Sequence, residues 1–133
     1  MAIREDGPAL RDLRILFTVG TFSDLTDGQL LERFATAEQA IAERAFELLV
    51  ERHGPLVLRV CQGVLANTHD AHDAFQATFL VLVTKARTLW VRDSLGPWLH
   101  QVAYRTALCA RSAKVRHRRF EQRAMLAAQP VVP

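Results

Sequence analysis

From Leu25 onward, apolar residues recur at intervals of three and four, the spacing of one helical face, and no stretch alternates with the two-residue rhythm of a strand. Thr26 or Asp27 can cap a first helix running to about Ala37, with Leu30, Leu31 and Phe34 on one face. A second helix takes in Ile41, Ala45, Phe46, Leu48, Leu49 and Val50, with charged residues between them. His53, Gly54 and Pro55 predict a break, since Gly suits a left-handed helix end and Pro the first turn of the next helix. That next helix holds Leu56, Val57, Val60, Cys61, Val64 and Leu65. A turn at 66–69 follows, and Asp70 is placed to cap a fourth helix.

The fourth helix, about Ala71 to Ala86, carries Ala71, Ala74, Phe75, Thr78, Phe79, Leu82 and Ala86 on one stripe. Ala77, Leu80, Val81 and Thr84 lie off that stripe and are mostly apolar as well, so the helix is buried on two sides or meets a partner. Periodicity stops across Arg87–Asp93. Ser94 then suits an N-cap, and Leu95, Trp98, Leu99, Val102, Ala103, Thr106, Ala107, Ala110 and Ala113 draw a last core stripe. The helical pattern continues to about Ala128, a length of ~50 Å at 1.5 Å per residue, so its end should project or fray. The expectation is an all-α, compact bundle of about four to five helices with a long basic C-terminal helix. Residues 1–24 read as a loosely docked arm, 25–128 as the domain and 129–133 as a tail.

The 133 residues suit one domain, and the two cysteines, Cys61 and Cys109, exclude a disulfide-rich secreted scaffold. Both sit among apolar helical positions, which favours packing over chemistry. No apolar run approaches the ~20 residues a membrane helix needs, and a cytoplasmic location is the default expectation. The net charge of +3 conceals a division: residues 1–84 carry 7 Lys/Arg against 12 Asp/Glu, whereas residues 85–123 carry 10 against 2. An acidic first part and a basic last part suggest two surfaces with different partners, the basic one for a polyanion. The plainer reading is that these cations only solvate a long helix.

Catalytic signatures are missing: the sequence has no Gly-rich phosphate loop, nucleophile elbow or Cys-x-x-Cys. His69, His72 and Asp73 lie close together but without further ligands at metal spacing, so neither an enzyme nor a cofactor or metal is expected. Nucleic acid is the better candidate. Arg87, Arg92, His100, Gln101, Tyr104, Arg105 and Arg111 are interleaved with Trp90 and Trp98. Cations neutralise phosphates, Gln can read base edges, and aromatic faces accept unstacked bases at ~1–3 kcal/mol each. Trp98 lies on the core stripe and reads as packing. Trp90, in the loop, either stacks a base or lids the core.

Three segments, Phe46–Val57, Asp70–Phe79 and Ser94–Arg105, occur in an order and at gaps that resemble region 2 of bacterial RNA polymerase sigma factors, nearest the extracytoplasmic-function group. They read FELLVERHGPLV, DAHDAFQATF and SLGPWLHQVAYR, and the likeness spans about Leu25 to Arg119. The resemblance implies that Asp73 and Gln76, with Ala77 and Leu80, dock on the coiled coil of the largest subunit of core RNA polymerase. It implies that the loop Arg87–Ser94, with Trp90 and Arg92, captures a base flipped from the minus-ten promoter element. It further implies promoter contacts on Gln101, Tyr104, Arg105 and Leu108, to which the cation pattern adds Arg111, and an anti-sigma factor as a possible partner. Flipping a base costs a few kcal/mol, which a pocket with stacking and hydrogen-bonding partners can offset.

Ala77 stands where the family usually has an acidic residue, and His72 where it often has Glu; both remove negative charge from the polymerase-facing surface. Such factors normally carry a second helical domain that reads the minus-thirty-five element, and the chain to Pro133 leaves no room for one. The alternative is a helical protein-interaction module, for an anti-sigma-like partner, with no promoter activity of its own. A duplex-binding repressor ranks below both, because no helix-turn-helix pair is evident.

Overall fold

The computed structural model describes residues 24–91 and 93–128, and these residues contain no strand. They form four helices, α1 (Asp27–Thr36), α2 (Gln39–Val64), α3 (Thr68–Lys85) and α4 (Gly96–Ala128). The arm expected at 1–24, except for Asp24, lies outside the described residues, as do Arg92 and the 129–133 tail.

The capping question at α1 resolves in favour of Thr26. Its hydroxyl accepts the Gln29 N–H at 3.2 Å, and the Gln29 side chain accepts the Thr26 N–H at 2.9 Å, a reciprocal capping box. Asp27 turns inward instead.

The break expected at His53-Gly54-Pro55 does not occur: α2 runs through all three. Pro55 removes one backbone donor, at a cost of up to ~3 kcal/mol in a helix interior. Tertiary contacts of its neighbours oppose that cost. His53 is buried against Asp27, and Gly54 is buried where an added Cβ would meet the Phe75 ring at 3.7 Å. No glycine among the described residues has a positive φ, so Gly54 does not serve as a left-handed helix end.

Asp70 is not the cap of α3. Asn67 holds that place, accepting the N–H groups of His69 at 2.8 Å and Asp70 at 3.3 Å. Asp70 sits in the first turn and pairs with Lys114 of α4 at 2.5 Å. Likewise α4 starts at Gly96 rather than directly after a Ser94 cap: the Leu95 carbonyl accepts the Leu99 N–H, and Ser94 Oγ accepts the Gly96 N–H at 3.0 Å.

Helix α1 packs on α2, α2 on both α3 and α4, and α3 on α4. Leu30, Leu49, Val57, Leu82, Leu95 and Leu99 form the fully buried centre, and Ala45, Ala71, Ala103 and Ala107 let the helix axes approach. Phe34, Phe46, Phe79 and Phe75 make a chain of rings across α1, α2 and α3, with centroids 5.1, 6.3 and 5.1 Å apart. Cys61 is buried, and burial pushes its thiol up despite the Thr78 hydroxyl beside it. Cys109, expected to pack, is exposed because it faces away from the Ala103–Ala107 stripe, and Ala113 is exposed too. From Val115 to Ala128 every residue of α4 is exposed, so the basic end of the ~50 Å helix projects from the bundle.

Candidate functional site

Two aromatic neighbours in sequence separate in space. Leu89 and Val91 turn into the core, which leaves Trp90 between them 79% exposed. Trp98 is half-buried against the core and acts as packing. Trp90 and Arg87 stand on one wall of a cavity of about 500 Å³, whose other wall is α1 with Thr26, Gln29, Glu32 and Thr36. That volume falls in the range of small-molecule sites, and its walls combine an indole face, a guanidinium and several hydrogen-bonding groups. Ser94 is exposed at the far end of the loop, its hydroxyl engaged by Gly96.

Gln101, Tyr104, Arg105 and Arg111 are exposed along one face of α4, with Leu108 half-buried among them. Spacings of three and four place them in a row opposite Leu99, Ala103 and Ala107. Arg111 also lines a second groove, with Lys114 and Arg118, against the start of α3. Phosphates are the ligands such a cationic row suits.

Asp73 and Gln76 line a shallow depression with Thr68, His69 and His72 at the start of α3. Leu80 continues the same face at 64% exposure, Val83 is 43% exposed, and Ala77 is half-buried beside them. Among the described residues the second apolar side of this helix is therefore exposed, while its first side fills the core.

One residue of consequence escaped the sequence reading. Asp27 is 2% exposed, and its Oδ2 accepts the Leu95 N–H at 2.7 Å and His53 Nε2–H at 2.6 Å, while Arg52 donates to Oδ1 at 2.8 Å. Burial alone would raise this carboxyl, but the Leu95 N–H, Arg52 and His53 outweigh it and hold the group below its ordinary value. An ionised carboxylate only accepts, so His53 carries its proton on Nε2. A signal was present in the pattern: Asp27 falls three and four residues before Leu30 and Leu31, and His53 midway between Leu49 and Val57. Both are polar residues on core stripes, and such residues need partners.

No curated protein and no solved structure matches the chain. Among protein families, Sigma-70 region 2 matches residues 49–119, a span that includes every exposed residue of α3 and α4 described above from Asp73 to Arg118. This family binds core RNA polymerase and recognises promoters, and it is not enzymatic. No described helix is long and apolar enough to cross a membrane. With more than half of its length matched, on helices whose described residues expose one apolar and one basic face, the chain belongs to the Sigma-70 region 2 family.

Proposed function

We propose that this chain is a region 2 domain of the extracytoplasmic-function group that opens the minus-ten element by giving an unpaired base a better site than the helical stack. The cavity between α1 and the 86–91 segment is the observation that carries this reading: an exposed Trp90 and Arg87 border a concave site of base-binding composition. Stacking on Trp90 contributes ~1–3 kcal/mol, comparable with the few kcal/mol that extrusion costs. Opening is then a matter of differential affinity for the separated strand. Gln101, Tyr104, Arg105 and Leu108 follow the strand along α4, Arg111 meets phosphate, and Arg92 and Ser94 complete the loop's contribution.

Core polymerase docks on the α3 face, where Asp73 and Gln76 supply polar contacts and Ala77 and Leu80 apolar ones. The exposure of Leu80 and Val83 supports this role. It equally supports an anti-sigma factor that caps the same face and so competes with polymerase.

The test is selection from a pool of random single-stranded decamers, followed by anisotropy titration of the selected strand against an unselected one. Base capture predicts a clear preference; equal affinities at every salt concentration leave only phosphate attraction. Retention of core polymerase on the immobilised chain tests the α3 surface separately. A chain that retains another protein but neither polymerase nor a preferred strand is the interaction module instead.

A further inference from the structure

The wall of the capture cavity is held by groups that lie outside it. Thr26 and Gly28 line the cavity from α1, and Arg87, Leu89 and Trp90 line it from the loop. Between Thr26 and Gly28 stands Asp27, pointing the other way, into the protein. Its Oδ2 takes the backbone N–H of Leu95, the last residue before α4. Leu95 is itself fully buried. The first turn of α1 and the exit of the loop are thus tied at one carboxylate.

That carboxylate is referenced to a third element. His53 Nε2 and Arg52 reach it from α2, and Arg52 also donates to the Leu25 carbonyl at 3.0 Å, so the chain is gripped on both sides of the Thr26 cap. Charge-assisted bonds of this kind are shorter and stronger than neutral ones, and a buried carboxylate that lost its donors would be severely penalised. The arrangement therefore has one favoured geometry. Asp27 lies outside the 49–119 span that matches the family, whereas His53 and Leu95 lie within it, so the clamp ties the first helix to the matched span.

From this geometry we infer that Asp27 is a positioning residue for base capture: it sets the separation of α1 from the loop, and with it the shape of the cavity, without touching the base. The inference rests on the cavity being the capture site. His53 shares the role, because its proton on Nε2 fills the lone pair of Oδ2 that Leu95 leaves open. An amide cannot substitute. Asn presents one acceptor oxygen to three converging donors and turns its NH2 toward at least one of them.

The experiment uses the full chain with Asp27→Asn, His53→Gln and Arg52→Gln. Circular dichroism first fixes a temperature at which each variant is folded. Amide exchange at Leu95 and Leu89, affinity for the strand that the wild type selects, affinity for an unselected strand, and retention of core polymerase are then measured. Asp27→Asn is expected to speed Leu95 and Leu89 exchange together and to weaken the selected strand by about 10-fold, the equivalent of one lost hydrogen bond to a charge, with less than about twofold change for the unselected strand and for polymerase. His53→Gln, which keeps an N–H donor, is expected to lose less, and Arg52→Gln, at the solvent edge, least. Parallel losses for both strands and for polymerase make the clamp a matter of stability alone and overturn the inference. So does faster exchange at Leu95 with Leu89 still protected. Should Asp27→Asn not fold, the order of the other two variants decides. A wild type that selects no strand defeats the capture reading, and the coupled exchange of Leu95 and Leu89 then still decides whether Asp27 positions the loop.

Discussion

The carboxylate of Asp27 and the backbone N–H of Leu95 meet at 2.7 Å although 68 positions separate them. A buried N–H at the start of a helix needs an acceptor, since the first turn has no carbonyl behind it. At α1 that need is met locally, by Thr26 with Gln29; at α4 it is met across the fold by a residue of another helix. The same carboxylate gathers Arg52 and His53, so three helices converge on one acidic group beneath the loop that carries Trp90.

Acid should loosen this junction. Burial would raise the Asp27 carboxyl, but the Leu95 N–H, Arg52 and His53 together depress it below its ordinary value of 3.8. The folded value lies below the unfolded one, so the stability it contributes is complete above 3.8 and is lost as pH falls from there through the folded value. Urea titrations across that acid range should show the wild type losing stability more steeply than Asp27→Asn, in which position 27 does not titrate. Equal slopes would mean that the group contributes no linkage.

Trp90→Ala and Arg105→Ala should separate recognition from stability. Both side chains are exposed, so each change should alter folding stability by less than about 0.5 kcal/mol. Loss of stacking at Trp90 should weaken the selected single strand by ~1–3 kcal/mol, and Arg105→Ala should likewise weaken the selected strand more than an unselected one. Arg111→Ala should instead weaken all strands alike and lower the slope of log affinity against log salt by about one.

The face of α3 should behave as an interface. Leu80→Glu places a charge at a residue that is 64% exposed, so stability should hold. Desolvating that charge against a partner should reduce retention of core polymerase by about 30-fold or more, the effect of losing a central contact worth ~2 kcal/mol. Unchanged retention would move the docking surface off α3.

Pro55 offers a test of the continuous α2. It is exposed and lies inside the helix, where it denies a hydrogen bond to the carbonyl four residues earlier. Pro55→Ala should restore that bond and raise stability by about 2 kcal/mol, from a helix-interior cost of ~3 less the entropy the proline ring removes from the unfolded chain. Chemical denaturation measures it; a destabilised variant would show that the packing of His53 and Gly54 depends on the proline.

Where a residue's environment is set by its near neighbours, sequence was a good guide. The stripes Leu30–Leu31, Ala71–Ala74–Thr78–Phe79–Leu82 and Leu95–Leu99–Ala103–Ala107 are buried, and the faces carrying Leu80, Gln101, Tyr104 and Arg105 are open. Two signals misled at 53–55 and 70. Gly and Pro report local preference of ~1–3 kcal/mol, which the burial of His53 and Gly54 overrides, and Asn67, three residues before Asp70, caps the helix one turn earlier by accepting the N–H groups of His69 and Asp70.

Periodicity, charge division and motif order thus determined the helical class, the two unlike surfaces and the residues on them, because a helix face is a property of residues three and four apart. The tertiary structure alone decided that α2 does not break, that Trp90 borders an open cavity instead of closing over the core, and that Asp27 holds the Leu95 N–H at the loop's end. The first and last of those turn on Asp27, Arg52, His53 and Leu95, 25 or more positions apart in sequence, meeting at one buried carboxylate, and there the energy of a satisfied polar contact exceeds any local preference.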